Sequence, residues 1–241
     1  MDRFYSLPET AKHFYCFSDV DDIKQHPDYI AAKSGEAEPA YRLVTDIASQ
    51  FLKSLVGEFP QGAYFVSPFA QEADGDNAIP LLLSLLAAKE LNGISETDIV
   101  QLQRVFHTGA DPMERLLLRP SFEGTVERNG NYVLVDDVTS MGGTLAELAN
   151  YIRLNNGNVI GSIVLVNAGR DKSFKPVKKH INLLKERFDE QIEQQFGIKI
   201  SAFTANEANY LIGFRTFDEI RNRCLKAEKE IHLRLLSKGI G

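Results

Sequence analysis

Between Ala40 and Phe59 the apolar residues Leu43, Ile47, Phe51 and Leu55 recur at helical spacing, and Pro60-Gln61-Gly62 ends the run. The stretch before it is polar and turn-rich, with Pro8, Pro27, Gly35 and Pro39. After it, short β-rich runs alternate with helical ones. Ala63–Val66 reads as a strand, and Asn77–Leu91, with its apolar middle LLLSLLAA, as a helix. Ile99–Phe106 reads as a second strand, Tyr132–Val135 as a third, and Gly143–Leu154 as the helix after it. Val159–Val166 is apolar enough to be a strand covered on both faces. Lys178–Phe196 carries Ile181, Leu184, Phe188 and Ile192 on one side, and Phe217–Leu236 carries Ile220, Cys224, Ala227 and Ile231. Both read as amphipathic helices. Strands alternating with helices imply parallel pairing through helical crossovers. The expected fold class is therefore α/β: an open, mostly parallel sheet with helices on both faces. No repeat or low-complexity stretch divides the chain. One domain is expected over 1–241, with a helical segment at 1–60, a core at 61–170 and a second helical segment at 171–241.

Composition narrows the possible partners. The 241 residues are 44% hydrophobic, enough for a sizeable core. A formal charge of −6 and the absence of a Lys/Arg-rich run argue against a nucleic-acid surface. The thin cluster Lys172–Lys179 reads as a solvated helix face. Cys16 and Cys224 lie far apart, without metal-ligand spacing, which favours a reducing compartment over a disulfide scaffold. The N-terminal residues lack the apolar core of a signal peptide, and no apolar stretch reaches the roughly 20 residues of a membrane helix. A soluble, cytoplasmic protein is the expectation.

The most informative segment runs Val133-Leu134-Val135-Asp136-Asp137-Val138-Thr139-Ser140-Met141-Gly142-Gly143-Thr144-Leu145. Apolar β-formers lead out of a buried strand, two carboxylates stand at its end, and a small, hydroxyl-rich turn with two glycines opens a helix. Ligands of open α/β sheets bind at the carboxyl ends of the strands. A glycine turn feeding a helix N-terminus offers unpaired N–H groups to a phosphate. The hydroxyls of Thr139, Ser140 and Thr144 add donors. The carboxylates would repel a phosphate but suit hydroxyl groups a few ångströms away. Phosphate at one end and a diol at the other describe ribose 5-phosphate. A Walker B strand also ends in acidic residues, but the chain has no GxxxxGK[ST] loop to accompany it.

This segment resembles the phosphoribosyl pyrophosphate (PRPP) motif of the type I phosphoribosyltransferases, which have a Rossmann-like core and a hood built from terminal segments. Further stretches, HPDYIAAKSGEA, HTGAD and NEANYLI, resemble a stand-alone group of such proteins. The resemblance implies that Asp136 and Asp137 hold the ribose hydroxyls, and that Thr139, Ser140, Met141, Gly142, Gly143 and Thr144 hold the 5-phosphate. It implies pyrophosphate contacts from the loop after the first core strand, at Phe69, Ala70 and Gln71, and from Arg104 and His107. That loop leads into a helix that Asp76 or Asn77 can cap. A loop closing over the site falls within Thr108–Asn131, where Arg115 and Arg119 are candidate cations for the leaving group. Asp111-Pro112-Met113-Glu114 in the same interval reads as the capping box of a short helix. Asn167 and Ala168 are guesses for base contacts.

Mg²⁺ would be held mainly through PRPP, with no direct protein ligand expected. The implied partners are PRPP and an unidentified base, with no nucleic acid and no membrane. The aromatic segment Phe14-Tyr15-Cys16-Phe17 could serve a homodimer or the core. Ser140 stands where enzymes for 6-oxopurines carry an acidic residue, and Thr108–Asn131 has none of the lysines of orotate enzymes. The loop looks nearest to those of adenine enzymes. The function implied is transfer of phosphoribosyl from PRPP to a nitrogen nucleophile. The alternative is a non-catalytic sensor of PRPP or a nucleotide. A nucleotide hydrolase would need metal-ligand spacing that is missing here.

Overall fold

The computed structural model describes residues 2–69, 77–102 and 110–237. Its strands in chain order are β1 (Lys12–Phe17), β2 (Tyr64–Val66), β3 (Ile94–Glu96), β4 (Val100–Gln101), β5 (Phe122–Glu123), β6 (Asn131–Thr139) and β7 (Asn158–Asn167). Five of them form one sheet in the order β1-β7-β6-β2-β3, every pair parallel, while β4 and β5 make a separate antiparallel ribbon. The helices are α1 (Asp21–Lys24), α2 (Tyr29–Lys33), α3 (Ala37–Ser54), α4 (Ile79–Glu90), α5 (Pro112–Leu117), α6 (Gly143–Leu154), α7 (Lys178–Phe196), α8 (Ala205–Leu211) and α9 (Phe217–Ser237). The α/β class and the parallel sheet expected from the sequence are what the chain forms.

Packing follows the pleat. Val133 and Val135 of β6 face a core shared with α3 and α4, while Tyr132 and Leu134 face one shared with α6. Side chains alternate across a strand, and Asp137 continues the face of Val135, where it meets Lys33 and Asn77. Helices thus cover both faces of the sheet. A third cluster joins α5, α7, α8 and α9 through Met113, Leu184, Phe188, Phe203, Ile220 and Cys224. Cys16 and Cys224 are both free thiols. Among the described residues no helix is long and apolar enough to cross a membrane.

Two expectations need correction. The stretch 1–60 is not helical throughout: its aromatic run forms the edge strand β1, registered on β7 with Lys12 opposite Gly161 and Phe17 opposite Val166. An edge strand buries only part of each face, so its mixed polar and aromatic pattern hides it. The second core strand is not Ile99–Phe106 but β3, three residues at the opposite edge with an exposed Ile94. Ile99 is buried, and Val100–Gln101 pair with Phe122–Glu123 in the small ribbon, so their β-forming character serves a different sheet. Residues 103–109 lie outside the described residues.

Candidate functional site

The chain runs from β2 through α4 to β3 on one side of the sheet, and from β6 through α6 to β7 on the other. The direction of winding therefore reverses between β2 and β6. The carboxyl ends of strands flanking such a reversal are where open α/β sheets hold ligands, because the two crossovers part and leave a crevice. Asp136 and Asp137 stand there, on the central strand.

Both carboxylates are largely buried, with Asp136 at 8% and Asp137 at 4% relative exposure. The backbone organises them: the Asp137 N–H donates to Asp136 Oδ1 at 2.9 Å, and the Val138 N–H donates to Asp137 Oδ1 at 2.8 Å. The remaining oxygen of Asp137 accepts from Lys33 Nζ at 2.5 Å and from Asn77 Nδ2 at 2.9 Å. Burial, together with the neighbouring charge of Asp137, holds the Asp136 carboxyl well above the usual carboxylate range. Burial pulls the Lys33 ammonium down, but the Asp137 carboxylate outweighs it and the pKa stands above its ordinary value.

The turn after the carboxylates is shaped for close approach. Gly142 has φ of +77°, a left-handed conformation that glycine adopts without strain. It precedes the first turn of α6, which no side chain caps. The N–H groups of that turn are the ones a helix leaves without internal acceptors. Arg115 Nη1 donates to Ser140 Oγ at 3.0 Å, and Thr204 Oγ1 donates to the Met141 carbonyl at 2.5 Å. Thr139, Ser140, Met141 and Gly142 line a narrow pocket opposite Asp171, Phe174 and Asn206.

Beneath this turn lies a buried ionic network. Arg3, fully buried, pairs with Glu207 at 2.5 Å and with Glu147 at 3.5 Å, and Arg119 pairs with Glu147 at 2.6 Å. Burial raises the Glu147 pKa, and the two arginines only partly offset it. Glu207 also accepts from the Thr204 N–H at 2.8 Å as part of a capping box on α8. The N-terminal residues and α8 are thereby fastened under the first turn of α6.

The expected site residues distribute unevenly. Asp136, Asp137 and the run Thr139–Thr144 come together as one strand end, turn and helix start. Phe69 lies three residues past the end of β2, and its carbonyl accepts from the Gln101 N–H at 2.8 Å. Ala70, Gln71, Arg104 and His107 lie outside the described residues. Arg115 reaches the Ser140 end of the turn, whereas Arg119 is committed to Glu147 and to the Phe196 carbonyl at 2.8 Å. Asn167 spends its amide on its own loop, donating to the Lys172 carbonyl at 3.1 Å and accepting from the Gly169 N–H at 3.1 Å. Ala168 is exposed, its N–H donating to the Thr139 carbonyl at 2.8 Å. The Asp111 capping box on α5 forms as read from the sequence. Asn77 acts at the start of α4, its Oδ1 accepting from the Ile79 N–H at 3.2 Å.

Lys33 and Thr204 carry no assignment from the sequence. Lys33 lies within HPDYIAAKSGEA, and only the fold brings it to Asp137. Among the described residues the acidic group close enough to share a metal ion is Asp111, Glu114 and Glu230. Arg223 pairs with Asp111 and Glu230, and Arg234 pairs with Glu114.

No family model matches the chain. Two curated relatives are similar to it. Protein TraN of Escherichia coli is 36% identical over 222 residues, covering 88% of this chain and 49% of TraN. An uncharacterised protein of Haemophilus influenzae is 39% identical over 137 residues, covering 55% of this chain and 30% of that protein. The chain thus spans half or less of the length of these relatives. Among solved structures, the AQ2163 protein of Aquifex aeolicus aligns over 64% of this chain and 86% of its own, with 10% identity and a TM-score of 0.37. A hypoxanthine phosphoribosyltransferase of Staphylococcus aureus aligns over 54% of this chain and 64% of its own, with 12% identity and a TM-score of 0.31. Likeness at those scores supports no functional assignment.

Proposed function

We propose that the protein is a PRPP-dependent phosphoribosyltransferase that moves the phosphoribosyl group to a nucleobase or another nitrogen nucleophile and releases pyrophosphate. The observation that carries this is the pair of buried carboxylates, Asp136 and Asp137, at the end of the central strand where the winding reverses. After the four residues 138–141 that follow Asp137 come a left-handed glycine and an uncapped helix start. A sugar phosphate spans such a site with its two kinds of group matched to the two kinds of lining.

The 5-phosphate sits at the turn Thr139–Thr144, which receives it on backbone N–H groups and hydroxyls, with the Arg115 guanidinium against Ser140. Asp136 and Asp137 accept hydrogen bonds from the 2- and 3-hydroxyls and fix the ring. In the reaction the bond from C1 to the pyrophosphate oxygen breaks, its electron pair leaving with pyrophosphate. The acceptor nitrogen forms the new bond from its lone pair and gives its proton to water. Positive charge develops on the sugar as the bond stretches, and the carboxylates below it stabilise that charge. Holding the phosphate and the diol together supplies orientation, which is the larger contribution.

Mg²⁺ suits this site as an ion carried by the substrate. The carboxylates at the strand end are engaged by the backbone, Lys33 and Asn77, and among the described residues they belong to no acidic group close enough to share a metal ion. When bound, the ion neutralises charge on the pyrophosphate. Asp136 and Asp137 would approach it only through the ribose hydroxyls.

Pyrophosphate release from PRPP, measured against a panel of purine, pyrimidine and amine acceptors, tests the proposal. Release with at least one acceptor is expected, with loss of about a hundredfold or more in Asp136→Asn/Asp137→Asn. If PRPP binds but no acceptor releases pyrophosphate, catalysis is refuted and a sensor remains.

A further inference from the structure

Lys33 approaches the diol carboxylates from the side opposite the phosphate turn. It is the last residue of α2, and its ammonium lies 2.5 Å from Asp137 Oδ2. Asn77 donates to the same oxygen at 2.9 Å, and its own carbonyl oxygen is committed to the Ile79 N–H at the start of α4. The other carboxylate oxygen is fixed by the Val138 N–H. An ammonium has three donors. Among the described residues Asp137 is the acceptor found for Lys33, whose side chain keeps 33% of its exposure, so donors remain for a ligand.

The phosphate turn leads into α6, on one face of the sheet, while Lys33 at the end of α2 and Asn77 at the start of α4 meet Asp137 on the side of the other core. Asn77 stands two residues before α4. At the carboxyl end of β2, Ser67 is 1% exposed and its hydroxyl has no hydrogen-bond partner among the described residues. A ligand with one phosphate on the Thr139–Thr144 turn and its diol on the carboxylates extends its opposite end toward this cluster.

We propose that Lys33 is the residue that recognises the pyrophosphate group, and so distinguishes PRPP from ribose 5-phosphate. The inference rests on the assignment of the strand end as a ribose-phosphate site. Before the ligand arrives, Lys33 balances the buried Asp137. With the ligand in place the diol takes part of Asp137's capacity, and the ammonium turns its remaining donors to the pyrophosphate oxygens. Charge-assisted hydrogen bonds of this kind are the strong ones, and Lys acts in them as a compact point charge.

Calorimetric titration with PRPP and with ribose 5-phosphate, at one fixed Mg²⁺ concentration, tests this on wild type, Lys33→Gln and Lys33→Arg. The glutamine keeps a hydrogen-bond donor for Asp137 and removes the charge, and the arginine restores the charge. Lys33→Gln is expected to weaken PRPP by about tenfold or more while ribose 5-phosphate stays within about twofold, and Lys33→Arg to recover most of the loss. An equal loss for both ligands would make Lys33 a support for Asp137 alone and overturn the inference, as would unchanged PRPP affinity. Wild type that binds neither ligand would overturn the ribose-phosphate assignment itself, which separates the two failures.

Discussion

Asp136 is buried, and among the described residues no ion pair is found for it, whereas its neighbour Asp137 holds Lys33. Burying a lone carboxylate is unfavourable for folding, and a site retains one only where it serves something else. Asp136→Asn keeps the oxygen that accepts from the Asp137 N–H and removes the charge. The expected outcome is a protein more stable by about 1–2 kcal/mol that no longer holds the diol, read by thermal melting and ligand titration together. The same group gives stability a sign with pH. Its folded pKa is raised above the unfolded value of about 4, so between those two values the folded state holds the extra proton. Stability contributed by Asp136 therefore falls as pH rises through that window and is recovered as pH drops. A stability profile above about pH 4 in which wild type and Asp136→Asn run parallel would contradict this. Neither the desolvation of Asp136 nor the pairing of Lys33 is written in the local sequence, because both depend on what the fold packs against the strand end.

The strand, turn and helix from Asn131 to Leu154 form the most legible element. Apolar residues on both sides of β6 and the paired carboxylates mark a buried central strand, and the glycines mark the start of α6 at Gly143. Edge elements are less legible. β1 and β3 bury less, so their sequences carry less of the apolar signal that identifies strands. Within the legible element Gly142 is the position the turn most depends on. An alanine there keeps a left-handed φ at roughly 1–2 kcal/mol, and its Cβ would lie 3.4 Å from Thr204 Cγ2. Gly142→Ala is expected to lower the melting temperature by a few degrees and to weaken ribose 5-phosphate binding. Gly142→Asn should be milder, since asparagine tolerates this region. Equal behaviour of the two variants would show that backbone conformation is not what the glycine supplies.

Across the whole molecule, distant parts of the chain converge on one strand end. Arg3 and Glu207 support the first turn of α6 from below, α5 brings Arg115 to Ser140, and α2 brings Lys33 to Asp137. Local sequence names the phosphate turn and offers Arg115 as a candidate cation, but it does not name Arg3, Glu207 or Lys33, and these partners lie from 25 to more than 100 residues apart along the chain. Their convergence is what a site that must fix a charged, two-ended ligand requires. The most direct measurement is calorimetric titration of PRPP with Mg²⁺ into wild type and into Asp136→Asn/Asp137→Asn. Saturable binding to wild type that disappears in the double variant is the expected result. Absence of wild-type binding to both PRPP and ribose 5-phosphate, or undiminished binding by the double variant, would contradict the assignment of this strand end as a ribose-phosphate site.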